Sequence, residues 1–400
     1  MIKEIIKKPL RYFRNQAREL YNSVEVKNRL EHQQTNEISS FDLHFFKSSV
    51  LRFIQSMQTD ETRIHYKYSD NCAMPTLYSS VYACMTLDML GGLEDYSDDL
   101  KKKWVEYFDS FQDSETGLFY DPVVENDIFP DTDWWGARHL ALHIIIAYAS
   151  LGAKPKYQFR FLGQYYDENY ISSWLNSFSW DDVSIGKGDI DNKIMNIGCL
   201  LQYQRDYWDD IKAGVAVDFI KDYLKNMVNP DTQLWGHSDL SNRELRSRMV
   251  QFAYHLYPIY FYDSEFNFNK NEIVANVLKT QNKYGGFGVR CNSSACEDID
   301  SIELLIRLGE NVSSDLVNQI DKALRKTFKW VLANQMVDGG FVFRLNEDFK
   351  YGHEQMSSTP NQSAMFPTWF RCLCIKLLLI KYDMDQDNIR HLPGYVVKFK

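Results

Sequence analysis

Three short acidic motifs hold the residues best suited to chemistry in this chain: Asp131-Thr-Asp133, Asp189-Ile-Asp191 and Glu297-Asp298-Ile-Asp300. Carboxylates crowded together either share a proton, which makes one of them an acid near neutral pH, or hold a cation such as Mg²⁺. The plainer reading is a helix start, since Asp is favoured at N-caps and in first turns. Three such motifs at matching positions of a repeat would bring their carboxylates to one rim. The expected catalytic set is therefore Asp131, Asp133, Glu297, Asp298 and Asp300, with His139 beside them.

Polar stripes at helical spacing supply the expected binding residues. Asp189, Asn192 and Asn196 form one stripe, and Arg243, Ser247, Gln251, Tyr254 and His255 another. Amides and guanidinium groups inside a core need partners, and a wet lumen or a ligand provides them. Arg138 stands seven residues after Asp131, on the same helix face, where it could meet a phosphate or carboxylate or pair with an acid. Trp134 and Trp135 offer flat faces for a sugar or an apolar group. His139 and His143 have metal-ligand spacing, but Leu140 stands where a zinc protease motif needs Glu, so no metal is assigned.

The elements that must position these residues follow from an internal repeat. Phe111–Tyr120, Asn229–Gly236, Thr280–Gly288 and Asn334–Val342 each run from a polar turn through a Gly or small residue into an aromatic. The aromatics Phe119, Trp235, Phe287 and Phe341 lie 116, 52 and 54 positions apart, so the first gap spans two periods. An amphipathic stretch precedes each turn and a second helical stretch follows it, with starts near Pro75, Asp131, Asp189, Ser241, Ala295 and Asn361. Alternating β-branched runs are scarce, which argues against a sheet. A helix hairpin cannot bury its apolar face alone; stacked hairpins can, and six can close into a ring. The expected fold is an all-α (α/α)6 toroid over residues 36–400, with a basic N-terminal arm over 1–35.

The turns Gln281…Tyr284-Gly-Gly-Phe287 and Gln335…Asp338-Gly-Gly-Phe341 resemble the Gln/Asp–Gly–Gly–Phe repeats of the terpenoid cyclase and protein prenyltransferase superfamily. The resemblance implies the double ring of helices and, at the level of activity, a prenyl substrate. The acid motif of its class II cyclases is Asp-x-Asp-Asp; the nearest match here, Asp298-Ile-Asp300-Ser301, departs at the last position. The zinc set of its prenyltransferases is approached only by Cys296, Asp298 and His353, in a different order. Other α/α toroids act on sugars, and a fold does not fix a function.

Composition bounds the partners. The net charge is −9, so nucleic acid is not an expected ligand. Residues 1–30 nonetheless carry eight Lys/Arg against three Asp/Glu. Ile5, Ile6, Leu10, Phe13 and Ala17 recur there at helical spacing, a pattern that suits an anionic membrane surface or an arm packed on a protein. Seven Cys without a CxxC pair fit reduced thiols, and no signal peptide or spanning segment is read, so a cytoplasmic protein, peripheral on the inner face of the membrane, is expected. The leading expectation is an enzyme acting on a small prenyl or lipid-linked substrate, diphosphate-bearing in one form. The alternatives are a carbohydrate-active lyase, hydrolase or epimerase of surface-polysaccharide metabolism, and a ring that only binds a partner.

Overall fold

The computed structural model describes residues 21–33, 37–124, 136–181, 183, 189–236, 240–385 and 391–396. Twelve helices among them form six hairpins. They are α1 (Leu43–Ser56), α2 (Leu77–Met89), α3 (Asp98–Asp109), α4 (Ala137–Ser150), α5 (Glu168–Asn176), α6 (Ile190–Trp208), α7 (Ile211–Met227), α8 (Arg243–Tyr262), α9 (Lys270–Leu278), α10 (Ala295–Leu308), α11 (Ser314–Ala333) and α12 (Met365–Lys381). The even-numbered helices touch in the order α2–α4–α6–α8–α10–α12, and α12 closes back on α2. That closed circuit is the inner barrel of an (α/α)6 toroid. Among the described residues strand is confined to two short antiparallel pairs, β1 (Phe349–Lys350) with β2 (Ser357–Ser358), and β3 (His391–Leu392) with β4 (Tyr395–Val396).

The two rings differ because their sequences do. In α2 every residue from Leu77 to Leu87 is buried, and α12 is buried from Met365 to Leu379. A helix apolar on all sides must be surrounded on all sides. The outer α11 buries a stripe including Ile320, Ala323, Leu324, Thr327, Phe328 and Val331, and turns Lys and Asp to solvent. Helix starts are read off their caps: Thr76, Ser97, Asp167, Asp210 and Asn242 each accept from a backbone N–H one to three residues into the helix.

The repeated turn is a clamp between neighbouring hairpins. Gln112, Gln281 and Gln335 donate to the carbonyls of Gly117, Gly285 and Gly339 at 2.9, 3.0 and 3.0 Å. Each also reaches the next repeat: Gln112 to Tyr157 O, Gln281 to Ala323 O, Gln335 to Ser49 Oγ. Phe119, Trp235, Phe287 and Phe341 are fully buried behind these turns. The left-handed backbone falls on the first glycine of the last pair, Gly339 (φ +94°), and not on Gly340. Gly340 is required by crowding instead: a Cβ there would lie 2.6 Å from Ser363 Cβ and 2.7 Å from the Phe53 ring.

The N-terminal arm is in part a docked helix. Residues 21–32 are helical, Val26 is buried, Ser23 bonds the Tyr284 hydroxyl and Arg29 meets Met336. It therefore lies across the last two turns. The basic residues expected before it, in 1–20, fall outside the described residues.

Candidate functional site

A cavity of about 330 Å³ opens among the starts of the inner helices. Its polar share comes from α6, α8 and α10: Asp189 and Asn192, then Arg248, Gln251, Tyr254 and His255, then Glu297 and Asp300. Its apolar share comes from Met195, from Phe366 and Phe370 on α12, and from Phe343, Phe349 and Tyr351 in the segment before α12. His139 contributes from α4, and Gly394 from the β3–β4 turn. A second cavity, of about 560 Å³, shares Arg248, Gln251, Glu297 and Arg344 with the first and adds Asp181, Glu244 and Arg290, so the space beside the first is charged.

The acidic motif on α10 divides into three roles. Residues two apart on an α-helix point about 200° apart, so Asp298 and Asp300 cannot share one environment. Asp298 faces away from the cavity, and its oxygens accept from Phe287 N (2.9 Å), Ser293 Oγ (2.8 Å), Trp330 Nε1 (2.7 Å) and Arg371 Nη1 (2.9 Å). Burial pushes its carboxyl up, and Arg371 with the three other donors pulls against that. In the next repeat the same duty falls to Thr368, whose hydroxyl accepts from Phe341 N at 2.9 Å. Asp298, expected in the catalytic set, lies outside the cavity wall and ties turn, α11 and α12 together. Glu297 completes a capping box with Ser294 and pairs with Arg344 at 2.9 Å, so it borders the cavity as a cap.

Asp300 is different. It is 1% exposed, it lines the cavity, and its Oδ2 has no hydrogen-bond partner among the described residues. Burial raises its carboxyl well above the usual range, Arg248 opposes this, and Glu297, Asp191 and Glu303 add to the rise. Burial of this kind favours the protonated carboxyl, the form that can donate a proton. Cys296 on the same helix is no nucleophile, since burial first and Asp300 second push its thiol well up.

The remaining expected residues separate by position. Asp189 sits in the left-handed region (φ 44°) at the start of α6, a strained setting for a non-glycine residue, and with Asn192 it borders the cavity. Asn196 is buried and is not part of the cavity wall. Gln251 bonds Ser247 at 3.3 Å, and Tyr254 donates to Glu303 at 2.9 Å. His139 meets Tyr78 Oη at 3.1 Å and Tyr351 Oη at 3.3 Å, and burial lowers its imidazole far below the ordinary value, so it is neutral. Arg243, expected to contact substrate, is exposed at the start of α8 and takes no part in the wall. Arg138 lies over the Phe161 ring, 5.9 Å from its centroid, and is likewise absent from the wall. Asp131, Asp133, Trp134 and Trp135 fall outside the described residues. Among those described, no three His, Cys, Asp or Glu side chains converge as a metal set.

Sequence reasoning missed Arg248, Arg344 and the aromatic wall, and it placed Asp191 in an acidic motif without its partner His255. Arg248 was within reach, because positions 248, 251 and 255 share a face of α8. The aromatics before α12 carry no period, so no local signal marks them.

No protein-family model matches the chain, and no curated sequence matches it. Solved structures share its outline weakly. An unsaturated glucuronyl hydrolase mutant from Streptococcus agalactiae is 10% identical, over 88% of this chain and 94% of that one, with a TM-score of 0.49. A family 76 glycoside hydrolase from a bovine Bacteroides thetaiotaomicron strain is 12% identical over 88% and 80%, with a TM-score of 0.47. The type II terpene cyclase MstE from Scytonema is 11% identical over 86% and 99%, also at 0.47. At such scores the likenesses leave substrate and reaction to this chain's own residues.

Proposed function

We propose that the chain is an enzyme that protonates a prenyl or lipid-linked substrate, with Asp300 as the general acid. The observation that carries this reading is the buried Asp300 carboxyl with its unpartnered Oδ2, set in a wall that also holds six Phe and Tyr rings. Protonating an alkene leaves a carbocation, and the ring faces of Phe343, Phe349, Tyr351, Phe366 and Phe370 attract positive charge without offering a nucleophile. Phe343 and Phe349 stack at 3.9 Å, so part of this wall is preorganised. Arg248 and Arg344 at the mouth suit an anionic head group left outside the aromatic part. The lipid-linked reading also gives a use to the basic residues of the N-terminal arm.

A second reading has one observation in its favour. Asp189 and Glu297 border the same cavity as Asp300, and a carboxyl pair is what glycoside hydrolysis needs. Its weakness is that Glu297 is already held by a cap and by Arg344.

The experiment is incubation of the full chain with farnesyl and geranylgeranyl diphosphate in D₂O. Mass spectrometry should find a product with one deuterium delivered from the acid. Asp300→Asn should lower the rate by at least about 10²-fold, the smallest effect usual for a general acid. Cleavage of acidic oligosaccharides with no isoprenoid product would transfer the site to the second reading.

A further inference from the structure

A proton donated by Asp300 must be matched by a proton lost, and the cavity holds a group arranged to take it. His255 borders the cavity from α8, with Nδ1 2.9 Å from Asp191 Oδ2. Asp191 comes from α6 and is fully buried. It also accepts from Arg248 Nη2 at 3.0 Å, and Arg248 is anchored in turn by Nε donating to Val183 O at 2.6 Å. Burial alone would raise the Asp191 carboxyl, but Arg248 and His255 hold it down at about 2, so it is an anion. An anionic acceptor facing Nδ1 requires a proton on Nδ1. The neutral imidazole then carries its lone pair on Nε2, which has no partner among the described residues. The charged and titratable groups that touch this ring or share its cavity are Asp191 from α6 with Asp189 before it, Arg248 and Tyr254 on α8, the neutral His139 from α4, Cys296, Glu297 and Asp300 from α10, and Arg344 and Tyr351 before α12.

We infer that His255 is the general base of this site, with Asp191 as the residue that positions it. The inference rests on Asp300 acting as the acid. The Asp300 O–H bond breaks as a new C–H bond forms at one carbon of the substrate's double bond, and the π electrons make that bond. A C–H bond next to the resulting cation then breaks. Its electron pair restores a double bond, and its proton goes to His255 Nε2. One proton enters and one leaves, nothing is oxidised or reduced, and exchange with water returns both side chains to their starting forms. Asp191 stabilises the imidazolium that forms and does not itself take the proton.

The test has two arms that fail separately. In the first, the full chain carrying ¹⁵N-labelled histidine is followed by NMR, with His255 assigned by its loss in His255→Gln. The expected signal of the neutral ring is an Nδ1–H imidazole with a bare Nε2. Asp191→Asn should shift that tautomer toward Nε2–H, while the signal of His143, which bonds the His139 carbonyl, stays put. An Nε2–H tautomer in the unaltered chain, or an imidazolium that persists to alkaline pH, overturns the inference. In the second arm, His255→Gln should lower kcat on geranylgeranyl diphosphate by about 10²–10⁴-fold with KM held, and remove the acidic limb of the pH profile. Full activity in that variant also overturns it. A chain that turns over no isoprenoid but shows the expected tautomer refutes the substrate reading alone.

Discussion

Asp298 and Asp300 stand two residues apart, yet opposite consequences of removing them are expected. Asp298→Ala leaves the fully buried Arg371 guanidinium without its counter-charge and frees three other donors. Breaking a buried pair from one side costs roughly 3–5 kcal/mol, so chemical denaturation should show a severe loss. Asp300→Asn should do the reverse near neutral pH. The folded state holds the Asp300 carboxyl protonated well above the pH at which the unfolded chain ionises it. Over that interval the native state binds the extra proton, so the unaltered protein loses stability as pH rises. The variant should therefore be the more stable form at pH 7, and its advantage should vanish as the pH falls into the ordinary carboxylate range. Melting curves across pH decide this, and an advantage that grows toward acid would refute it.

At the level of elements, the paired glycines separate two physical demands. Gly339 has φ +94°, and a Cβ on it would lie 2.1 Å from the Ser49 carbonyl oxygen. Gly339→Ala should cost at least about 2 kcal/mol, from backbone strain and collision together. Gly340→Ala meets Ser363 Cβ and the Phe53 ring without the backbone strain, so roughly 1–3 kcal/mol is expected. Equal effects in denaturant titrations would contradict this division. The same turn also shows how an element hides its purpose. Its glycines and aromatics are visible as a motif, but the acceptor for the Phe287 amide is Asp298, eleven residues on and in the next helix. A sequence shows that acid only as one of several near a helix start.

For the molecule as a whole, ring closure and the membrane are separate questions. Among the described residues no helix is long and apolar enough to cross a membrane. Residues 1–20 carry six Lys/Arg and two Asp/Glu. The helix that follows presents Tyr21 and Val24 to solvent, 63% and 54% exposed. It crosses the turns that precede α10 and α12, the end of the toroid at which the cavity opens. Deleting residues 1–20 should leave a folded ring, because Val26 and its contacts stay in place. It should also weaken binding to phosphatidylglycerol vesicles, and high salt should weaken the intact protein in the same way. Equal vesicle binding by the truncated and intact proteins would assign those charges to another partner.

Local pattern determined the helix hairpins, their number and their two rings. Hydrophobic period and glycine–aromatic turns are properties of neighbouring residues, and six self-similar hairpins have few ways to bury their faces. The same local rules marked Asp300, Gln251, Tyr254 and His255 as polar residues on inner helices. They could not tell Asp298 from Asp300, because both obey the helix-start pattern and only the direction of each side chain separates the keystone from the carboxyl that lines the cavity. Nor could they find the link from Asp191 to His255, which joins residues 64 positions apart. That pairing exists because the ring sets α6 against α8, and contacts between helices are fixed by closure of the whole chain.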